Sequence, residues 1–376
     1  DRGGEAMALR KIQIPTLVIG IDTDVLIPVR FQQYIADHIP NAHYQEITSD
    51  YGHDGFFIET AQITKKIAEF YTNNMNENNK IARVVVTFGG KSVSNGALQN
   101  SINIIKKEAA KNAIAVVVSA RGQNTDELLS LLKSAINGVD YESALDDFFN
   151  FQKEIQSGVD LSSERNELEE VLSALTILRI DNDKVRDRML AVGELISAKT
   201  LAAILRKEGL HAPFVDNRAL HFAENMENEV EVKQANSNLH TSAYFRGLLP
   251  SQIPVVTGFI ATDEQGDTIT LGRNGSNYSA TLLASYIQAK EVQNWTNVDG
   301  IYSASPKYVN NAVRIDQMSY REANELANFG TTILHSKTIL PLIEHNIPLR
   351  INSSFSPSDH GTLIDREGSQ LSLIHI

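Results

Sequence analysis

The sequence predicts an α/β protein built on a parallel sheet with helices on both faces. Two short β-branched runs, Val84–Val86 and Ala115–Ser119, have the apolar composition of buried strands. A helical pattern from Ala97 to Lys111 lies between them. Because alternating strands and helices are typical of a parallel sheet, this order predicts one here.

The first 71 residues show the same alternation on a smaller scale. Apolar runs at residues 14–20 and 44–48 predict strands, and the patterns at residues 31–38 and 61–71 predict helices. The segment that follows, residues 72–80, is rich in asparagine and has no periodicity. We therefore predict a linker between two domains there.

The rest of the chain adds a helical region and a hairpin. Residues 141–210 have acidic, amphipathic patterns that predict a largely helical region. The stretches Val255–Ala261 and Thr268–Leu271 flank the polar segment 263–267, which predicts a hairpin turn.

Composition limits the classes of partner. The 376 residues are 42% hydrophobic and 21% charged, the balance of a globular protein with room for two domains. The absence of cysteine excludes disulfides, thiolate metal sites and cysteine nucleophiles, and it is compatible with the cytoplasm, where we expect the protein.

The net charge of −12 argues against nucleic acid and anionic membranes as partners. No apolar run approaches the ~18 residues of a membrane span, so we expect a small-molecule partner and no membrane partner.

Three motifs identify the larger part of the chain. They are V-V-V-T-F-G-G-K-S-V at residues 84–93, T-L-G-R-N-G-S-N-Y-S-A at residues 270–280 and W-T-N-V-D-G-I-Y at residues 295–302. Together they resemble the aspartate kinases, and G-R-N-G-S resembles the kinase half of the bifunctional aspartate kinase–homoserine dehydrogenases. The resemblance implies an amino-acid-kinase-type sandwich around a parallel sheet, with a helical substrate lobe, over residues 81–367.

The resemblance also implies a reaction and its substrate contacts. The reaction is phosphoryl transfer from ATP to the side-chain carboxylate of L-aspartate, with Mg²⁺ as cofactor, and the protein positions the reactants and neutralises charge. By this resemblance Thr125 and Ser276 hydrogen-bond the amino acid. Glu194 pairs with its ammonium group, and Arg273 clamps a carboxylate. The alternative for Glu194 is a helix-capping or surface carboxylate.

On the phosphate side the chain departs from the family. The family motif K-F-G-G-T-S reads T-F-G-G-K-S here, so Thr87 stands where the lysine belongs and Lys91 where the threonine belongs. Asn277 and Asn297 replace two family carboxylates, and Thr332 replaces a further lysine. Lys91 and Asn277 are the candidate catalytic positions, since a flexible lysine after a Gly-Gly turn could still bring its ammonium near the phosphates.

The resemblance assigns further positions to the nucleotide. These are Gly89, Gly90, Ser92, Thr296, Asn297, Tyr302 and Lys307, the last in Ser305-Pro306-Lys307 where the family has D-P-R. The substitutions remove charge from the phosphate side and spare the aspartate side. Losing one preorganised transition-state contact costs about 10²–10³ in rate, and asparagine cannot replace the charge of aspartate. The sequence therefore predicts a kinase domain with weak or lost turnover.

Two earlier motifs resemble a different family. G-I-D-T-D-V-L-I-P at residues 20–28 and S-D-Y-G-H-D-G-F at residues 49–56 resemble the C-terminal end of homoserine O-acetyltransferases, which are α/β-hydrolases. The resemblance implies that Asp24 orients His53 and that His53 is the general base for a serine nucleophile. In α/β-hydrolases the serine precedes both residues, so we expect it upstream of this sequence. The alternative is that His53 is a hydrogen-bonded turn histidine.

These resemblances give an expected organisation. Residues 1–71 are the C-terminal part of an α/β-hydrolase, residues 72–80 a linker and residues 81–367 the kinase-like domain. The last residues, 371–376, resemble the translation of a sequencing adapter, and we expect a non-native tail there. We expect the parent to be a fused, homo-oligomeric protein of aspartate-family amino-acid biosynthesis, on the route to methionine and threonine.

Other function classes are alternatives to the kinase. The domain could be a non-catalytic aspartate-binding sensor or scaffold, because the aspartate-side residues fit binding as well as catalysis. G-G-K-S at residues 89–92 is not a Walker A motif, because Val85 occupies the position of its first glycine. The ten histidines form no H-x-x-x-H pair, which argues against a zinc hydrolase.

Overall fold

The computed structural model divides the chain into two compact units, residues 1–81 and residues 82–376. Each unit has a sheet of its own. Thr332 and the tail at 371–376 lie outside the described residues. Those described are 5–10, 12, 16–78, 83–94, 96–155, 157–226, 229–328, 335–357 and 360–368, with the backbone alone for 71–78.

The first unit is a small parallel α/β layer. Strands β1 (Thr16–Ile21) and β2 (Ala42–Ile47) pair in parallel along their whole length. The helices are α1 (Glu5–Leu9), α2 (Val29–His38), α3 (Gly55–Ile58) and α4 (Thr60–Asn78). The two predicted strands and the two predicted helices of this region are confirmed.

Helix α4 is longer than the sequence predicted. The helix extends beyond Tyr71, into the segment predicted as a linker, and ends at Asn78. Residues 60–78 contain neither glycine nor proline, so no residue in them interrupts the helical backbone hydrogen bonds. A segment without hydrophobic periodicity has no apolar face to bury, but its backbone can still form helical hydrogen bonds. The role of residues 72–80 as a linker stays a prediction.

The second unit alternates strands and helices around one large sheet. Its helices are α5 (Leu98–Ala109), α6 (Asn124–Ile136), α7 (Glu142–Lys153), α8 (Ser162–Leu178), α9 (Asp183–Lys207), α10 (Gln234–Arg246), α11 (Gly275–Tyr286), α12 (Tyr320–Asn328) and α13 (Ser336–His345). Its strands are β3 (Val84–Phe88), β4 (Ile114–Val118), β5 (Phe214–Val215), β6 (Ala223–Asn225), β7 (Val230–Val232), β8 (Val255–Thr257), β9 (Ile260–Thr262), β10 (Thr268–Thr270), β11 (Glu291–Thr296), β12 (Ile301–Tyr302), β13 (Arg314–Ile315), β14 (Gln317–Ser319), β15 (Leu349–Ser353) and β16 (Thr362–Asp365).

Eight of these strands form the main sheet, in the order β14-β16-β15-β11-β3-β4-β8-β5. The six strands from β15 to β5 run parallel to one another. Strand β16 is antiparallel to β15, and β14 pairs in parallel with β16. The predicted parallel sheet is confirmed, with two reversed strands at one edge that the sequence did not predict.

The main sheet is covered on both faces. Val85 of β3 packs in a core with residues of α11 and α13, whereas Val86 and Phe88 pack in a second core with residues of α5 and α9. A strand covered on both sides is apolar at consecutive positions, which accounts for the run Val84–Val86. The sheet is therefore a fully buried platform, and its functional groups lie at its ends.

A helical lobe made of α6 to α9 has a core of its own. Leu128, Phe148, Leu168 and Ile196 belong to it. Helix α9 is shared, because its C-terminal half packs through Leu201 against the sheet. One 25-residue helix thus fixes the lobe against the sheet, and the predicted helical character of residues 141–210 is confirmed.

The remaining strands form short antiparallel ribbons. Strands β9 and β10 pair around the polar segment 263–267, which confirms the predicted hairpin. Pairs β6–β7 and β12–β13 are the other ribbons of the described residues. Among the helices that the structure describes, none has the length and apolar character needed to cross a membrane.

Candidate active site

A pocket of about 370 Å³ opens at the edge of the main sheet where parallel strands end. Gly89 follows β3, Ser119 follows β4 and Thr296 closes β11. Because the carboxyl ends of parallel strands meet at one edge, a crevice there is the expected ligand site of an open α/β sheet. The lining residues are Gly89, Ser119, Thr125, Glu194, Phe259, Gly272, Arg273, Asn274, Gly275, Ser276, Asn277, Asn294 and Thr296.

Two turns cross closely beside the pocket. A Cβ atom on Gly90 would lie 2.3 Å from the carbonyl oxygen of Ala120, so this position requires glycine. The N–H of Gly122 donates to the carbonyl of Gly90 at 2.9 Å, which ties the turn after β3 to the turn after β4. Gly89 has open space at its Cβ position, so its bare backbone borders the ligand space.

Glu194 contributes a buried carboxyl to the pocket. It lies in the middle of α9, is 3% exposed, and its Oε1 accepts a hydrogen bond from the Ala120 N–H at 3.1 Å. Among the described residues its Oε2 has no hydrogen-bond partner. Burial raises the pKa of Glu194 to about 8, against the opposing effect of the Ala120 N–H. A buried carboxyl with an unpaired oxygen is a binding group for a cationic part of a ligand.

The loop that carries Arg273 is tied to the same helix. Asp187 accepts the Thr270 N–H at 3.1 Å and the Thr270 hydroxyl at 2.7 Å. Burial raises the pKa of Asp187, and the two Thr270 donors oppose this shift. Asp187 precedes Glu194 by about two helical turns, so both carboxyls project from one face of α9. One helix therefore sets the positions of Glu194 and of the Arg273 loop.

Arg273 is an exposed cation on the pocket lining. It forms no ion pair with any residue that the structure describes, so its guanidinium is available to a ligand. The next residue, Asn274, has a φ of 59° and leads the chain into α11. A guanidinium presents its N–H donors in a fixed fork that matches the geometry of a carboxylate.

Two helices begin at the pocket. Thr125 lies in the first turn of α6, and Ser276 and Asn277 lie in the first turn of α11. A Cβ atom on Gly258 would lie 2.6 Å from the Cβ of Ser276, so the end of β8 packs directly against the start of α11. Helix N-termini carry partial positive charge and free N–H groups, and these two favour an anionic ligand group.

Neutral side chains form the rest of the polar lining, among them Asn277, Asn294 and Thr296. Of the described lining residues, Glu194 and Arg273 are the ones with ionisable side chains. Lys91 is exposed, does not line the pocket and makes no ion pair with the described residues. Charge is therefore concentrated at the two groups that suit an amino acid.

Ser92, predicted to bind nucleotide, is fully buried beneath the pocket edge. Its hydroxyl donates to the Trp295 carbonyl at 3.1 Å and accepts from the Ser354 hydroxyl at 2.8 Å. These bonds join the chain segments that follow β3 and β15 to strand β11. In the structure, the Ser92 hydroxyl therefore connects neighbouring chain segments by hydrogen bonds.

Three other predicted nucleotide residues lie outside the lining as well. Asn297 is exposed on the loop after β11. The Tyr302 hydroxyl donates to Asp299 at 2.9 Å, and the Lys307 ammonium lies 5.4 Å from the ring centre of Tyr308. The pocket brings together seven of the predicted kinase residues, namely Gly89, Thr125, Glu194, Arg273, Ser276, Asn277 and Thr296. It leaves outside its lining Gly90, Lys91, Ser92, Asn297, Tyr302 and Lys307.

Six lining residues were not predicted from the sequence, namely Ser119, Phe259 and Asn294, and also Gly272, Asn274 and Gly275, which lie within the T-L-G-R-N-G-S-N motif. Ser119 directly follows β4, so its place at the end of a parallel strand was a usable signal. Asn294 is a buried amide in strand β11, whose sequence E-V-Q-N-W-T is mostly polar and gives no signal that this amide is buried. Phe259 has a φ of 67°, and no pattern in the sequence indicates a left-handed phenylalanine.

The lining suits an amino acid better than a metal ion. Mg²⁺ prefers carboxylate and phosphate oxygens, and Glu194 is the carboxylate among the described lining residues. In the part of the chain that the structure describes, no cluster of three or more His, Asp or Glu side chains could hold a metal. The protein groups therefore fit Mg²⁺ poorly. The Gly89 N–H already donates to the Trp295 carbonyl at 3.2 Å, so the start of α11 is left to offer N–H groups to nucleotide phosphates.

The first unit contains the predicted pair of Asp24 and His53. The Nδ1 atom of His53 lies 2.8 Å from Oδ2 of Asp24, and Oδ1 of Asp24 accepts the N–H groups of Leu26 and Ile27, each at 2.9 Å. The Asp24 side chain is 2% exposed and that of His53 is 38% exposed. The Ile27 N–H and His53 lower the pKa of Asp24. A buried, ionised aspartate thus orients an accessible imidazole.

Residues 82–353 match the amino acid kinase family. The match covers most of the chain, lies within the second unit and includes every lining residue of the pocket. The chain belongs to the amino acid kinase family.

Aspartokinases are among its relatives. The bifunctional aspartokinase/homoserine dehydrogenase 2, chloroplastic, of Arabidopsis thaliana is 34% identical over 291 residues, which are 74% of this chain and 32% of that protein. Lysine-sensitive aspartokinase 3 of Escherichia coli (strain K12) is 33% identical over 293 residues, which are 75% of this chain and 64% of that protein. The chain therefore spans a third of the plant relative and less than two thirds of the bacterial one.

A solved structure supports the same likeness. The crystal structure of E. coli aspartokinase III in complex with aspartate and ADP (R-state) matches with a TM-score of 0.68 and 31% identity, over 77% of this chain and 65% of that chain. The fold class and the resemblance of the second unit to aspartate kinases are thereby confirmed. The fusion to a homoserine O-acetyltransferase stays a prediction.

Proposed function

We propose that the second unit is an aspartate-kinase-type domain that binds L-aspartate and transfers a phosphoryl group from ATP to it at a low rate. The observation that carries this proposal is the combination of Glu194, a buried carboxyl with one unpaired oxygen, and Arg273, an exposed guanidinium, on one pocket. An amino acid presents an ammonium group and a carboxylate, and the pocket offers a partner to each. The similarity to aspartokinases supports aspartate as the amino acid.

Each group of L-aspartate has a complementary region in the pocket. The ammonium group pairs with Oε2 of Glu194, and Arg273 binds one carboxylate. The second carboxylate is favoured by the N-termini of α6 and α11, where Thr125 and Ser276 add hydroxyl donors. The neutral part of the lining, at Asn277 and Asn294, remains for the phosphoryl group.

The neutral phosphate side limits the rate. In the proposed reaction an oxygen of the side-chain carboxylate attacks the γ-phosphorus, the bond to ADP breaks, and 4-phospho-L-aspartate leaves. Charge on the transferring group needs cations close to it. Thr87 and Asn277 supply none, and Lys91 does not line the pocket. Each missing contact costs about 10²–10³ in rate, so we propose weak turnover.

The relatives suggest a larger parent. We propose a fused, homo-oligomeric protein of the aspartate-derived route to methionine and threonine, since the Arabidopsis relative joins an aspartokinase to a homoserine dehydrogenase. Residues 1–71 would be its acetyltransferase part and residues 72–80 the linker. We keep the cytoplasm as its proposed location, although the names of the plant relatives place those proteins in the chloroplast.

A sensor or scaffold is the alternative function of the second unit. The confinement of charge to Glu194 and Arg273 favours it, because such a pocket holds an amino acid and offers little to a triphosphate. A sensor needs aspartate alone, whereas a kinase needs aspartate and ATP. Turnover therefore separates the two functions.

We predict that Glu194 loses a proton when L-aspartate binds. Burial holds its pKa at about 8, so the carboxyl is mostly protonated at pH 7 in the free protein, and an ammonium partner stabilises its ionised form. Calorimetric titrations in buffers of different ionisation enthalpy should show release of about one proton per site at pH 7, and progressively less as the pH rises above about 8.

The variant Glu194→Gln should abolish this proton release and weaken aspartate binding by about 10–100-fold, the effect of losing a charged hydrogen bond. Glu127→Gln is the matched control, because it makes the same change at an exposed residue of α6 outside the lining, and it should alter neither quantity. Proton release that persists in Glu194→Gln would show that the ammonium group binds elsewhere.

We predict that Thr87→Lys raises the rate of aspartyl-phosphate formation, measured as the hydroxamate, by about 10²-fold. Thr87 is buried in β3 beside a small cavity that it shares with Asn277, so a longer side chain can extend towards the pocket. Thr87→Met has a similar length without the charge and should give no increase. An equal gain with Met, or a wild-type rate already within the ~1–100 s⁻¹ of typical kinases, would contradict weak turnover from missing charge.

For the first unit we propose the acid–base part of an acetyltransferase. The specific observation is the 2.8 Å bond between buried Asp24 and accessible His53, on motifs that resemble homoserine O-acetyltransferases. In this arrangement the aspartate fixes the imidazole tautomer, and the outer nitrogen of the ring is left to take a proton from a nucleophile. A turn histidine without such a role would not need a buried, ionised partner.

We predict a strongly downfield ¹H NMR signal from the Nδ1–H of His53 in the full chain. Asp24→Asn keeps an oxygen for the Leu26 and Ile27 N–H groups but puts an amide donor where Oδ2 was, so the signal should disappear. Asp37→Asn, at an exposed residue of α2, is the control and should preserve it. A downfield signal that survives Asp24→Asn would mean that His53 is not oriented by Asp24.

A further inference from the structure

A second, much smaller cavity lies beside the pocket, between strand β3 and helices α11 and α13. Its volume is about 10 Å³, close to the space that a single water molecule occupies. Its polar lining consists of three threonines and two asparagines, Thr87, Thr281, Thr338, Asn277 and Asn294, above an aliphatic base. None of the described residues that line it is charged.

The three threonine hydroxyl groups around this cavity can each still accept a hydrogen bond from an occupant of the cavity. The Oγ1 of Thr87, a residue 1% exposed, has no hydrogen-bond partner among the described residues. The Thr281 hydroxyl donates its proton to the Tyr278 carbonyl at 3.1 Å, and the Thr338 hydroxyl donates to the His335 carbonyl at 2.6 Å. Thr281 and Thr338 are thus left as acceptors, and so each can receive a donor or a cation.

Two amides complete the set of oxygens and connect the cavity to the pocket. Asn277 and Asn294 line both spaces. Each amide can turn its carbonyl oxygen towards the cavity, because its two ends are close in shape. An occupant of the cavity would therefore sit one side-chain layer away from the ligand space.

We propose that this cavity binds one monovalent cation of about the size of water, potassium or ammonium. Up to five neutral oxygens from four elements, β3, α11, β11 and α13, surround it, and neutral oxygens that replace a hydration shell are a known way to bind potassium. The lack of carboxylates disfavours Mg²⁺, which requires near-octahedral geometry and gives up its water reluctantly. An uncharged donor, a single water molecule, is the competing occupant.

The consequence for the pocket rests on the proposed function, whereas cation binding itself does not. A positive charge beside Asn277 and Asn294 would partly neutralise phosphoryl oxygens placed against the same two amides. Nucleotide binding should then be stronger in potassium than in a chloride salt whose cation is too large for the cavity. Aspartate binding, which uses Glu194 and Arg273, should depend less on the cation.

The test uses the full chain and two readouts that do not require activity. Crystals soaked in thallium(I) acetate should show an anomalous peak in the cavity. Thermal melting in potassium chloride should exceed that in tetramethylammonium chloride of equal ionic strength by about 2 °C, the shift expected for a site filled to several times its dissociation constant. Ammonium chloride should act like potassium chloride.

Two variants separate this site from a general salt effect. Thr87→Val keeps the shape of the side chain and removes the unpartnered hydroxyl, so it should abolish both the anomalous peak and the potassium-specific shift. Thr176→Val is the matched control, because its hydroxyl donates to the Leu172 carbonyl on α8, in the helical lobe, and the potassium response should persist. If Thr87→Val fails to fold, Thr281→Val takes its place, because it removes a different oxygen of the same cavity.

The outcomes distinguish this site from the proposed function. Water density without an anomalous peak, or an equal potassium shift in Thr87→Val, would overturn the cation site. A thallium peak in a protein that binds neither aspartate nor nucleotide would leave the cation site standing and remove the kinase function. Aspartate turnover that is equal in potassium and in tetramethylammonium, with the thallium peak present, would overturn the electrostatic role given to the cation.

Discussion

The hydrogen bond from the Ala120 N–H to Glu194 is the contact on which the pocket depends. It joins the turn after β4 to the middle of α9 and gives a carboxyl at 3% exposure one of the partners that its oxygens need. Separating the helix from the turn would leave a buried carboxyl without a hydrogen-bond partner, which is unfavourable in free energy. Since α9 also holds Asp187 against Thr270, the Arg273 loop is fixed by the same helix. The pocket thus rests on regular elements, which position side chains more closely than loops do.

Binding and catalysis require different groups, and the pocket has more of the groups suited to binding than of those suited to catalysis. Ion pairs with a ground-state amino acid give affinity, whereas rate requires charge placed where the transition state develops it. Glu194 and Arg273 belong to the first kind, and the described lining has no further charged side chain for the second. A monovalent cation beside Thr87 would restore part of that charge without a covalently attached lysine. A fold shared with aspartokinases is therefore compatible with a much lower rate.

The sequence showed those parts of the molecule whose signal is local. Burial on both faces leaves consecutive apolar residues, so the strands at Val84–Val86 and Ala115–Ser119 were predictable. Strands β14 and β16, of three and four residues, are too short to carry a period. Strand β16 is reversed by pairing with the preceding strand β15, and β14 is reversed by pairing with β16, more than 40 residues further along the chain. Motifs led to Glu194 and Arg273, whereas the bond of Asp187 to the hairpin depends on tertiary packing that no motif encodes.

Calorimetric titration of the full chain with L-aspartate, alone and with Mg-ATP present, tests most directly whether the aspartate side is complete by itself. We predict that aspartate binds without nucleotide and that Mg-ATP changes its dissociation constant by no more than about twofold. Succinate, which lacks the ammonium group that we propose Glu194 binds, should bind at least about tenfold more weakly. Aspartate binding that requires Mg-ATP, or succinate binding as tight as that of aspartate, would contradict the assignment of Glu194 and Arg273 as a self-sufficient amino-acid site.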